Sequence, residues 1–269
     1  MSFKIGFTAD HSSRKPDAYT QGRAQAQARR SIVNIYFPAR NMKLSYYNDE
    51  FDLHRGDIVY VDGKLEGLRG RVVDVNYNFR IRLSDYKRVI ALADTDVHGD
   101  FYMAGSHFVT FDPDALSKDR VRSWYMAPKK DCDEFASGSD GSDFLLGDLN
   151  EMNVPFDIAE RGNEYYMENR VRYITLDGTR GYAIVEGRVP YEVEFGYDNG
   201  RISGLVCSCH CAARCKHEFS AMLQLRETLE LVNRQYASMY ERSEYFAAIY
   251  KAELFSLAVD GKETGSFTL

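Results

Sequence analysis

The fourteen residues V-C-S-C-H-C-A-A-R-C-K-H-E-F at 206–219 constrain this 269-residue chain more than any other stretch. They hold four of its five cysteines and place Cys207, Cys209, Cys215 and His217 in the pattern C-x-C-x5-C-x-H. Thiolates at about 2.3 Å and an imidazole nitrogen at about 2.0 Å suit tetrahedral Zn2+, and four protein ligands leave no open coordination position. Each two-residue-spaced pair puts both donors on one side of a short turn or helix start. Two such pairs close around one ion; neither alone would fix it. The expectation is one structural zinc ion. Cys211 is a possible substitute ligand, because it also lies two residues from Cys209, and His210 is a weaker competitor. A disulfide framework is disfavoured, since the cysteines crowd one loop instead of stapling distant segments. A zinc-bound imidazole normally has its second nitrogen held by a carboxylate or carbonyl; Glu218 is adjacent in sequence.

Upstream, Y-A-I-V-E-G at 182–187 and P-Y-E-V-E-F at 190–195 read as two strands joined by a glycine turn, preceded by A-E-R-G-N-E-Y-Y at 159–166 and N-R-V at 169–171. With the C-x-C…C-x-H ligands, this run of about 156–225 resembles the SWIM-type zinc finger. The resemblance implies a zinc-bound β-β-α unit used in DNA binding or protein–protein contact, with a helical lead-in. None of the helicase, transposase or recombination domains to which such fingers are often attached is recognisable in the rest of the chain.

Composition sets outer bounds. Apolar residues make up 44% and charged residues 28% of the chain, which is ordinary for a globular protein long enough for two modest domains. The longest apolar runs, such as 89–93, fall far short of a membrane span, and the start M-S-F-K-I-G lacks a sustained apolar region. The expected compartment is a reducing cytoplasm, without membrane contact. A net charge of -6 argues against a general coater of nucleic acid but leaves room for a local basic face.

Along the chain, 1–30 carries six cations against two carboxylates and reads as a basic N-terminal arm or helix, with Q-G-R-A-Q-A-Q-A-R-R at 21–30 rich in helix formers. From 31 to 130 short strands are expected at 32–37, 58–61, 71–75, 79–83, 88–92 and 108–111, separated by turn signals such as R-G-D and D-G-K. The segment G-D-I-V-Y-V followed by G-L-R-G-R-V-V-D-V, near 55–80, resembles the opening of a small SH3-like barrel. Its glycines read as hairpin turns, because no Lys-Ser/Thr closes a phosphate loop. Asp94, Asp96, His98 and Asp100 read as polar loop residues.

The stretch 131–160 holds nine carboxylates and no Lys or Arg, and 131–155 reads as an acidic Gly/Ser/Asp linker, with F-L-L at 144–146 docking locally. Next come the zinc module at 156–225 and a helical extension over 226–269. In the helix starting near Cys215, Met222, Leu225, Leu229, Val232, Tyr236 and Met239 form one apolar stripe, which either packs within the chain or pairs with a second copy. A second helix is expected over 243–258, then a frayed tail.

The fold class expected is therefore α+β: a β-rich N-terminal domain, a barrel in its finer form, and a small-sheet/helix zinc module. Arg170, Arg172, Arg180, Arg188, Arg201, Arg214 and Lys216 decorate the zinc module; if they converge, they can contact phosphate backbones without sequence selectivity. Two functions stay open: a nucleic-acid-binding accessory module for DNA or RNA, and a protein–protein adaptor. In either case the chain is monomeric or a homodimer. Enzymatic zinc is disfavoured, because H-E-F-S-A replaces the hydrolytic H-E-x-x-H and no G-x-S-x-G elbow occurs.

Overall fold

The computed structural model describes residues 28–128, 143–211 and 213–260, together with the backbone of the strands Ser2–Thr8 and Ser266–Thr268. Two sheets organise the chain. The larger runs, in spatial order, through β15 (Ser266–Thr268), β1 (Ser2–Thr8), β7 (His98–Ala104), β8 (His107–Thr110), β14 (Tyr245–Tyr250), β10 (Val171–Asp177), β11 (Arg180–Glu186), β12 (Pro190–Asp198), β13 (Arg201–Cys207) and β9 (Phe144–Leu145). Every neighbouring pair in it is antiparallel. The smaller sheet has the order β3 (Met42–Asn48), β2 (Ser31–Phe37), β5 (Gly70–Asn76), β4 (Ile58–Val61), β6 (Val89–Leu92). The fold class is α+β, as the residue pattern implies.

The large sheet buries both faces. On one face, α2 (Phe156–Met167) and α3 (Lys216–Gln235) cover Val171, Ile174, Ala183, Val185, Val193 and Phe195. The α3 stripe explains itself here, since Met222, Leu225, Leu229 and Val232 are buried against the strands, so the helix packs within its own chain. Tyr236 ends that helix, and its hydroxyl donates to Met103 O at 2.9 Å. Met239 falls in the short α4 (Ala237–Ser243) that follows. On the other face, α1 (Lys118–Tyr125) and α5 (Lys251–Val259) cover Tyr173, Tyr182 and Ile184.

The central strand corrects the expected second helix. Residues 245–250, Y-F-A-A-I-Y, pair with β10 on one side and β8 on the other, and the helix starts only at Lys251. Phe246 and Ala248 enter one core while Tyr245, Ala247 and Ile249 enter the other. A strand with both faces covered is apolar throughout, so periodicity alone does not separate it from a buried helix.

Other expectations also change. The strand expected at 79–83 is irregular and leads into a 3-10 turn at Leu83–Asp85; most of 77–88 is exposed, so no buried face is present to hold a strand. The loop around His98 is β7, and the start of the expected N-terminal arm is β1, paired on β7; 9–27, which includes most of the expected helix at 21–30, lies outside the described residues. The tail expected to fray contributes β15. The SH3-like barrel near 55–80 resolves as the five-stranded sheet with its own core of Val33, Ile35, Phe37, Val59, Val61 and Val72. An isolated bridge, Tyr47 to Arg88, joins its two edges at one point without a continuous ladder.

Sheet membership also departs from the expected division of the chain. Residues 98–110, expected within a β-rich 31–130, belong to the large sheet, and β14 lies inside the stretch 226–269 expected to be helical. Within the expected linker, Phe144 and Leu146 are buried in the large-sheet core; 131–142 lies outside the described residues. The two sheets meet at Trp124, whose carbonyl accepts from the Tyr60 hydroxyl at 2.8 Å and whose indole donates to Asp260 at 2.8 Å. Arg71 reaches the same carboxylate at 2.7 Å.

His107, in β8, is fully buried; its Nε2 lies 2.8 Å from Val171 O and its Nδ1 3.0 Å from Ser106 Oγ. Burial, with lesser contributions from Arg172 and Lys251, lowers its pKa to about 4 despite the bond to Val171. Because the unfolded chain binds the proton first, this group's contribution is fully present above about pH 6.5 and is lost as pH falls towards 4. We expect urea stability to fall between pH 7.5 and 4.5 by about 2 to 3 kcal/mol more in the native chain than in His107→Gln. Equal pH slopes would remove His107 from the account.

Candidate metal centre

β13 ends at Cys207 and α3 begins at Lys216, and the chain between them returns to the sheet so that four donor atoms converge. Cys207, Cys209 and Cys215 Sγ and one ring nitrogen of His217 all lie within 4.8 Å of one another. His217 Nδ1 is 3.8 Å from both Cys207 Sγ and Cys215 Sγ. A tetrahedron with bonds near 2.3 Å has edges of about 3.8 Å. The spacing and chemistry of these donors therefore fit one Zn2+ ion. Cys211 and His210 are exposed and stand outside the cluster, which consists of the four residues the spacing picks out.

The local structure explains why the donors sit there. Cys215 is the N-cap of α3, its sulfur accepting from Glu218 N at 3.5 Å while Glu218 Oε2 accepts from Cys215 N at 2.8 Å. This reciprocal cap is the arrangement usually made by Ser or Thr with Glu, here with a thiol in the capping position. Glu218 is thus used on the backbone and is not the partner of the imidazole. Buried beside the Cys215 sulfur, its carboxyl is raised to about 7. Arg214 donates to Leu205 O at 2.7 Å and so ties the returning loop to β13.

The three sulfurs influence one another. Cys215 is lowered to about 4, chiefly by its hydrogen bond with Cys207, and Cys207 is raised by the same bond. Burial pushes Cys209 up to about 12. A divalent cation supplies the countercharge that lets all three ionise, so zinc affinity here is coupled to proton release.

The imidazole is fixed by rings and by a close backbone approach. Tyr191 stacks on His217 at 4.2 Å between centroids, and Tyr165 of α2 sits against it at 5.6 Å. A β-carbon added at Gly187 would lie 2.7 Å from the Tyr191 ring and 3.3 Å from His217 Nε2. That nitrogen is buried without a hydrogen-bond partner among the described residues, contrary to the expected carboxylate or carbonyl. The sequence marks Gly187 as a turn and Tyr191 as a strand residue; their role against His217 depends on strand pairing that no local pattern carries.

The residues expected to form a basic patch are spread along the sheet and differ in what they contact. Arg201 lies six residues, or about 20 Å, along the strand from Cys207, and Arg180, which pairs with Gly196, stands about three residues or about 10 Å along the sheet from the level of Cys207. Arg172 pairs with Glu186 and approaches Glu253 at 3.8 Å, and Arg170 pairs with Glu168 at 2.5 Å. Arg214 is mostly buried and bonded to Leu205, as above. Around the zinc end, Lys216 and Arg170 both lie over the Tyr165 ring, at 4.4 and 4.6 Å, and Arg188 is exposed in the β11–β12 turn.

Comparison with protein-family models, curated proteins and solved structures finds no match to this chain.

Because Gly187 leaves no room for a side chain, Gly187→Val should weaken zinc binding by about 10- to 100-fold, the usual scale for disturbing the groups that orient a ligand. Competition with a chelator measures this. An unchanged affinity would show that the Tyr191–His217 stack does not position the imidazole.

Proposed function

We propose that the C-terminal half of this protein is a non-catalytic, SWIM-like zinc-stabilised module whose zinc end docks a protein partner. The observation that carries the reading is the set of four protein donors on β13, the returning loop and α3, whose ligand atoms lie within 4.8 Å of one another; four such donors would fill a tetrahedral site and leave no position for a reactant. The metal then acts by pinning a sheet edge to a helix start, and binding is done by the surface around it.

The character of that surface favours protein. Met167 is 69% exposed at the end of α2 and Val189 is 54% exposed in the β11–β12 turn. Glu186 N donates to Arg170 O at 2.7 Å, which brings those two segments together beside the zinc end. Apolar side chains among paired charges are the makings of a protein interface. A phosphate-tracking surface needs cations in excess, and here Arg170 and Arg172 are already engaged with carboxylates. The described helices include none long and apolar enough to cross a membrane.

The test compares two contacts in the zinc-loaded full chain. A photo-crosslinker at Val189 should capture one defined protein in cells, and capture should vanish in Cys209→Ser, which also loses the metal; a crosslinker at the distant exposed Leu83 should not. In parallel, titration with single- and double-stranded DNA and RNA at two salt concentrations should show no salt-sensitive binding. Micromolar, salt-sensitive binding weakened by Arg188→Glu/Lys216→Glu would replace the protein reading with a phosphate-backbone one.

A further inference from the structure

The face of α2 turned away from α3 carries a stripe of four exposed side chains. Phe156, Glu160, Glu164 and Met167 follow helical spacing along it. Phe156 is 84% exposed, the most of any large apolar side chain among the described residues. The helix cannot turn to bury it. On the opposite face Gly162 lets α2 approach α3 so closely that a β-carbon there would lie 2.9 Å from the Phe219 ring.

The charges on this stripe run against what the helix itself prefers. Glu160 and Glu164 are like charges one turn apart, and such pairs repel. Glu164 also stands in the last turn, where the helix dipole disfavours a carboxylate, and that turn holds no basic residue. Neither carboxylate has an ion-pair partner among the described residues, whereas Glu168 beside them is paired with Arg170. A local arrangement that is unfavourable in itself, without a local gain, marks a surface kept for a partner.

We propose that this face docks a basic amphipathic helix of the partner protein, with apolar side chains seated on Phe156 and Met167 and lysines or arginines on Glu160 and Glu164. This rests on the protein-docking reading above and names the partner's class, since Met167 belongs to both surfaces. Phe156 and Met167 lie eleven residues apart, about 16 Å along the axis, so the complementary helix carries two apolar residues at the same separation with cations between them. The charges supply selectivity and encounter rate, and the two apolar anchors supply most of the hold. A second copy of this chain is a poor occupant, because α2 laid on itself in either direction sets carboxylates against carboxylates. Anionic membranes and nucleic acids are repelled for the same reason.

The probes are two labelled, alanine-based helical peptides of about eighteen residues. Both carry leucines at the spacing of Phe156 and Met167; one has lysines between them and the other glutamates. Binding to the zinc-loaded full chain is read by fluorescence anisotropy. We expect the lysine peptide to bind and the glutamate peptide to bind at least roughly tenfold more weakly. Glu160→Lys/Glu164→Lys should invert that preference, and Phe156→Ser should weaken the lysine peptide by about tenfold. All three positions are exposed, so the variants should keep the fold and the metal, which zinc content checks. The control Glu50→Lys/Asp85→Lys, in exposed turns beside the small sheet, changes net charge equally and should leave the preference as it is. The inference is overturned if neither peptide binds, if the control has the same effect as reversal at Glu160 and Glu164, if that reversal or Phe156→Ser changes nothing, or if sedimentation shows a dimer that Phe156→Ser dissolves. In any of these cases a protein captured through Val189 leaves the docking reading standing. Salt-sensitive nucleic-acid binding without that capture would overturn both.

Discussion

The C-terminal half depends on the end of β13 and the start of α3 being held at one point. The two elements approach the cluster from different directions, one along the sheet edge and the other from the layer above it. Cys207 belongs to the first and Cys215 and His217 to the second, with Cys209 on the bend between. Burial of the α3 stripe fixes the helix over the strands but does not fix where along its axis it stops. The reciprocal Cys215–Glu218 cap fixes the stopping point, and a metal held by the four donors would join that point to the sheet. Cap and ligand share one sulfur, so helix initiation and metal binding are coupled.

The molecule around this point is less modular than the motif suggests. The sheet that carries the ligands continues through β10 into β14 and β8, so the zinc end is supported by strands from both ends of the chain. Gly162 shows how closely the helical layer is fitted: a β-carbon there would lie 2.9 Å from the Phe219 ring and 3.1 Å from Lys216 O. That approach sets α2 against the first turn of α3 and brings Tyr165 up to His217. The small sheet joins this assembly through Trp124, Tyr60, Arg71 and Asp260, polar groups paired at the boundary between two separate apolar cores.

What was legible in the sequence follows from locality. The four ligands were legible because coordination demands particular side chains at short spacing. So were β10, β11 and β12, where short apolar runs meet glycine turns, and the α3 stripe, whose apolar spacing follows one face of the helix. β14 was not: its alanines and aromatics serve two cores at once, and its neighbours β10 and β8 lie about 70 and 140 residues away. β7 was hidden for another reason. H-G-D-F-Y-M-A mixes polar and apolar residues, and it becomes a strand through pairing with β1 and β8. The partners of the arginines were not legible, because spacing along strands says nothing about which carboxylate lies across the ladder, as Glu186 does for Arg172.

The unpartnered nitrogen of His217 shows why the site is organised by packing more than by polar contacts. Nδ1 is turned towards the sulfurs, and Nε2 lies buried beside Gly187 and Tyr191, where an unmade hydrogen bond costs about 1 to 3 kcal/mol. Stacking on Tyr191 offsets about 0.5 to 1.5 kcal/mol of that. Binding of a structural zinc is worth on the order of 10 kcal/mol at neutral pH and would decide the balance. Without the metal the same imidazole has reason to turn or hydrate, and Tyr191 and the 187–189 turn lose the ring they pack against. The exposed Val189 lies in that turn, so the surface proposed to meet a partner and the atoms proposed to meet the metal are linked through a single ring.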